Sequence, residues 1–111
     1  ERLGAGPRWS DVVIHAGVAR WVEVADDPTL DAREQIRQVL AQIDGTLTSF
    51  GSQRSRLLQV VIYLADLADA AVLNEQWDAW IIAGQAPSRA CVQAGLSGNY
   101  RIEMVLTAAV D

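Results

Sequence analysis

Residues 87–103 read PSRACVQAGLSGNYRIE, and the reading of this stretch decides the fold. Arg89, Cys91 and Gln93 alternate with Ala90, Val92 and Ala94, the two-residue period of a β-strand. A strand over Arg89 to Ala94 projects the guanidinium and the thiol from one face and the small apolar side chains from the other. Gly95 to Asn99 supplies turn residues, and a second alternating run from Tyr100 to about Val110 carries Glu103. The two runs are expected to form a hairpin that brings a guanidinium, a thiol and a carboxylate near one another.

Upstream, Leu57 to Ala65 (LLQVVIYLA) is apolar and β-branched enough for a strand buried on both faces. Leu57, Val61 and Tyr63 form one apolar set, and Leu58, Val60, Ile62 and Leu64 form the other. Between this strand and the hairpin, Asp69 is placed to cap a helix through Ile82, with Leu73, Trp77, Trp80 and Ile81 as its apolar stripe and Gly84 as its stop. The helical spacing of Trp77 and Trp80 favours core packing over a ligand-stacking pair. Further upstream, Ile36, Val39, Leu40, Ile43, Leu47 and Phe50 mark an amphipathic helix. Thr29 or Asp31 can cap it, and Gly51 is set to close it. Asp11 to Ala16 and Val18 to Val24 read as the arms of a hairpin turning at Gly17, and Glu1 to Arg8 as an irregular lead-in. His15 is either a sheet histidine with an ordinary partner or a pocket histidine.

The order is therefore β-β-α-β-α-β-β in a single domain spanning residues 1–111. Two helices cover one face of a sheet. Val105, Thr107 and Ala109 back onto Met104, Leu106 and Ala108, so the uncovered face would be a large apolar patch. The residues alone thus predict an oligomer.

Composition narrows the chemistry. The net charge of −5 disfavours a nucleic-acid partner, and all nine basic residues are Arg. Without Lys there is no Schiff-base, pyridoxal or Walker lysine. One Cys and one His allow neither an intrachain disulfide nor a Cys/His zinc cluster, and no cofactor or metal is expected. No membrane span or signal peptide is visible, so a cytoplasmic location is expected. The chain begins at Glu1 rather than Met, as expected of a sequence missing its first residues.

Pro87-Ser88-Arg89-Ala90-Cys91-Val92 followed by Tyr100-Arg101-Ile102-Glu103 resembles the C-terminal signature of the RidA/YjgF (Rid) family of imine and enamine deaminases, in its YoaB-like branch. The resemblance extends through Arg8 to His15, Ala41 to Asp44, Leu64 to Asp66 and Asn74 to Trp80 (NEQWDAW), nearly the whole chain in order. It implies a chorismate mutase-like α+β fold, a mixed sheet with two helices on one face, and a homotrimer with pockets between subunits. It also implies hydrolysis of a 2-imino acid to a 2-keto acid and ammonia. Arg89 matches the arginine that grips the substrate carboxylate, Glu103 the catalytic position that handles water, and Cys91 a substrate-binding thiol of the pocket. Trp9, Glu23 and Asn74 fall at pocket-lining positions.

Each role has a plainer counterpart. Arg89 could serve an interface salt bridge, Cys91 could be a small buried hydrophobe, and Glu103 could pair with Arg89 or Arg101. Val22-Glu23-Val24 departs from the family, which carries a glycine in place of Glu23. A glutamate there adds bulk and charge at the pocket mouth and is expected to compete for Arg89. Beside the deaminase stands a second reading, a non-catalytic trimer that binds a small carboxylate-bearing metabolite. The endoribonuclease activity ascribed to some relatives suits neither the acidic charge nor the missing aromatic-basic platform.

Overall fold

A computed structural model describes all 111 residues. Six strands form one mixed sheet: β1 (Arg2–Leu3), β2 (Val12–His15), β3 (Val18–Val24), β4 (Leu57–Leu64), β5 (Ser88–Gln93) and β6 (Ile102–Ala109). The helices are α1 (Ala32–Ser49) and α2 (Ala70–Trp80), and the spatial strand order is β1-β2-β3-β6-β4-β5. The irregular lead-in is corrected in part. Arg2 and Leu3 pair antiparallel with Val13 and Val12, and two residues are too few to show a period. Gly4 makes the return possible at φ +59°, where a Cβ would collide with the Asp11 carboxylate.

The C-terminal hairpin does not form. β5 runs parallel to β4 and β6 antiparallel to it, so β4 lies between them. Short local turn signals suggest a hairpin, but β4 carries more apolar residues than either strand and pairs with both. In register across the sheet, Arg89 lies opposite Val60 and Glu103 opposite Tyr63. Val60 faces the helices and is fully buried, whereas Tyr63 is on the other side. Arg89 and Glu103 therefore project from opposite faces, two strands apart.

One sheet face carries the core. Trp21, Val60, Ile62, Leu64, Ile102, Met104 and Leu106 pack beneath Ile36, Val39, Ile43 and Leu47 of α1 and Leu73, Trp77 and Trp80 of α2. The two apolar sets of β4 are redrawn by a bulge between Leu57 and Gln59, which turns Leu57 inward and leaves Leu58 exposed. Within the chain β4 is therefore fully buried on one face only. On the open face, Val22, Val105, Val61 and Ala90 form one register row across four strands. Val22 and Val105 remain 55% and 37% exposed.

Helix α1 is closed at both ends as its sequence suggests. Asp31 accepts from the Glu34 N–H at 2.9 Å. At the other end Gly51 takes φ +77°, its N–H bonding Thr48 O while the Ser52 N–H bonds Leu47 O. Helix α2 differs from expectation. Asp66, not Asp69, caps the entry turn by accepting from the Ala68 N–H, and the helix stops at Trp80. Asp69 instead pairs with Arg101 at 2.8 Å.

Candidate functional site

β2 accompanies β3 only as far as Trp21, so Val22 to Val24 form a free sheet edge. Trp9, Ser10 and Asp11 flank that edge, and Thr46 of α1 and Glu103 of β6 complete a cleft of about 550 Å³. Three of its lining residues carry carboxylates, Asp11, Glu23 and Glu103, and none carries a positive charge. Trp9 stands at its lip, 70% exposed.

Glu23 lies opposite buried Met104 and so turns toward α1. Its carboxylate accepts from Trp21 Nε1 at 3.2 Å, from Gln42 Nε2 at 3.2 Å and from the Thr46 hydroxyl. Within one chain this carboxylate does not reach Arg89. β6 and β4 stand between the two strands, a separation of three strand spacings or about 14 Å. Glu103 is the opposite case. It is half-buried in the open-face row Val24–Glu103–Tyr63–Val92 and makes neither an ion pair nor a side-chain hydrogen bond. Arg101, one expected partner, is taken by Asp69, and Arg89, the other, is on the far edge strand.

At that far edge Arg89 Cζ lies 5.3 Å from the centre of the Trp77 ring. Its guanidinium makes no ion pair and no hydrogen bond. Cys91, two residues on and on the same face, is half-buried against the core. Burial raises the Cys91 thiol pKa above its ordinary value, and the positive charge of Arg89 opposes that rise. At neutral pH the group is a thiol, which suits pocket lining and not nucleophilic attack. Asn74 is exposed on α2 without a side-chain hydrogen bond, one helical turn before Trp77.

The candidate residues thus fall into two clusters. Trp9, Glu23 and Glu103 gather at the free edge of β3, and Arg89 and Cys91 lie on β5 at the other side of the sheet, with Asn74 on the neighbouring helix. His15 is exposed on the hairpin and outside the cleft. No group of three or more His, Cys, Asp or Glu side chains is arranged to hold a metal ion. No helix is long and apolar enough to cross a membrane. The sequence reading missed Asp11, Gln42 and Thr46, polar residues whose patterns carried no sign of a cleft. It also missed that Trp77 and Trp80, core residues as expected, each receive an arginine on one ring face.

A mixed sheet under two helices, with charged side chains held at its two sides, defines a small α+β chain of the chorismate mutase-like kind. Residues 5–110 match the family described as endoribonuclease L-PSP. The chain is 46% identical over 110 residues to the RutC family protein YoaB of Escherichia coli, covering 98% of this chain and 96% of that one. A solved structure of an uncharacterized protein from Pseudomonas aeruginosa has a TM-score of 0.95 at 41% identity, covering 100% of this chain and 98% of its own. A YjgF-family member from Neisseria meningitidis gives a TM-score of 0.93 at 40% identity, with 100% and 94% covered. The chain belongs to the RidA/YjgF family, in its YoaB-like branch.

Proposed function

We propose that this protein is a 2-imino acid deaminase, hydrolysing reactive imines and enamines to 2-keto acids and ammonia in pockets between the subunits of a homotrimer. The observation that carries the reading is the division of the site. One side of the sheet holds a guanidinium with every donor free, and the other side holds an unpaired carboxylate in a cleft. A head-to-tail contact between copies joins the β5 edge of one to the β3 edge of the next, and a rotation that closes after three copies uses every such edge. The open apolar face, uncovered within the chain, supports the same assembly.

In such a pocket Arg89 grips the substrate carboxylate through its planar pair of donors. Glu103 accepts a proton from water as the oxygen attacks the imine carbon. The resulting carbinolamine takes that proton from Glu103 on its nitrogen, and its collapse releases ammonia and leaves the carbonyl as the hydroxyl proton passes back to the Glu103 carboxylate. No covalent enzyme intermediate is required, in keeping with the protonated state of Cys91.

Deamination is measured on imines generated in place from several amino acids, against a buffer-only control. Arg89→Ala and Glu103→Gln are each expected to abolish catalysis. Mixing the two inactive variants under exchange conditions should restore part of it, because every mixed ring contains one junction with both residues intact. Absence of recovery would place both groups in the same subunit's pocket or remove one of them from catalysis. A second reading, a metabolite-binding trimer without turnover, is favoured by one observation: Glu23 adds a third carboxylate to a cleft that holds no positive charge. Carboxylate binding without ammonia release would decide for it.

A further inference from the structure

Helix α2 presents two tryptophans, with ring centroids 5.7 Å apart, and each receives an arginine. Arg54 Cζ lies 5.2 Å from the centre of the Trp80 ring. The edge of that guanidinium holds a carboxylate by two bonds, Nε to Asp44 Oδ1 at 2.7 Å and Nη2 to Asp44 Oδ2 at 2.8 Å. Its remaining Nη1 donates to the Trp80 carbonyl at 2.9 Å. Arg89 repeats the first half of this arrangement, at 5.3 Å from the Trp77 ring. It lacks the second half, because no carboxylate of the chain reaches its edge.

We propose that Trp77 is a positioning residue: it holds the Arg89 guanidinium by one face so that its edge stays open for a ligand carboxylate, in the arrangement Trp80, Arg54 and Asp44 already display. The proposal rests on the reading of Arg89 as the carboxylate grip. Its physical basis is that a cation–π contact engages the face of the guanidinium and leaves the N–H donors free. An arginine on an edge strand otherwise samples many rotamers, and ordering it on binding opposes affinity. Trp77 is well suited to limit that freedom, since it is buried in the core and fixed by its neighbours. A salt bridge would also order Arg89, but would occupy the donors the ligand needs.

The test uses pyruvate as the probe and its methyl ester as the uncharged control. Titration of the parent protein is expected to change tryptophan fluorescence with pyruvate and not with the ester. Trp77→Leu should weaken pyruvate binding about two- to fivefold, the size of a cation–π contact to an exposed arginine. It should raise KM for 2-imino acids by a similar factor and leave kcat little changed, since Glu103 is untouched. Trp77→Tyr, which keeps an aromatic face, should recover most of the affinity, and it decides the matter if the leucine variant fails to fold. A direct signature is the Arg89 side-chain N–H resonance, shifted by the indole ring current in the parent and released in Trp77→Leu. Pyruvate affinity unchanged in both variants, with Arg89→Ala still unable to bind, would overturn the positioning role while leaving the carboxylate grip intact. Binding that survives Arg89→Ala would overturn the grip itself, and the positioning role with it.

Discussion

At the scale of single residues, Glu23 separates position from direction. It lines the cleft, but its carboxylate is turned back to Trp21, Gln42 and Thr46. Replacing it with glycine removes three hydrogen bonds and loosens a strand position, an expected loss of about 1–3 kcal/mol in chemical denaturation. The same change clears bulk and negative charge from the cleft, so kcat/KM on 2-imino acids should rise. A variant that lost stability without gaining activity would make Glu23 a structural clamp alone. Cys91 gives a pH-dependent prediction. The folded chain holds the thiol proton more tightly than the unfolded one, so its contribution to stability is present below the ordinary thiol pKa. It is lost as pH rises through the folded value. Alkylation by iodoacetamide at pH 8 should be slower than for a free thiol, and slower still in Arg89→Ala, which removes the charge that opposes the rise.

At the scale of elements, the helices were legible and their attachments were not. The apolar stripe of α1 and its caps, Asp31 and Gly51, follow from local rules that act within one turn. Gln35 does not follow from any of them. It is the buried polar residue of the core, 0% exposed, and it ties two loops to α1. Its Nε2 donates to the carbonyls of Pro28, Leu30 and Asn99, and its Oε1 accepts from the Arg101 N–H at 2.8 Å. Gln35→Leu should lower stability by about 2–4 kcal/mol, since buried backbone groups are left unpaired. Gln35→Glu should be worse at pH 7, because a carboxylate can keep the bond from Arg101 but would face three carbonyls without a donor. Thermal melts of the two variants check the order, and a glutamate variant as stable as the parent would refute the account.

For the whole molecule, the open face decides the outcome. The row Val22, Val105, Val61 and Ala90 runs across four strands beside the row that carries Glu103. In the proposed trimer this face is covered, and light scattering should return about 36 kDa, three times the 12.1 kDa chain. Val105→Arg places a charge in the centre of the row, where burial without a partner is strongly unfavourable. It should yield monomers and abolish deamination although Arg89 and Glu103 are unchanged. Monomers of Val105→Arg that kept full activity would show that each chain carries a complete site.

The sequence by itself determined the family, the two amphipathic helices and the alternation that puts Met104, Leu106 and Ala108 inward. These depend on contacts near in the chain or on a period that local geometry imposes. Only the tertiary structure decided which strand lies beside which, and with it the distribution of the candidate residues. Seventeen residues that read as a hairpin are parted by β4, because strand pairing is chosen by burial across the whole sheet and not by the turn between two runs. That one choice separates Arg89 from Glu103, sends them to opposite faces, and leaves the guanidinium on Trp77 and the carboxylate in the cleft.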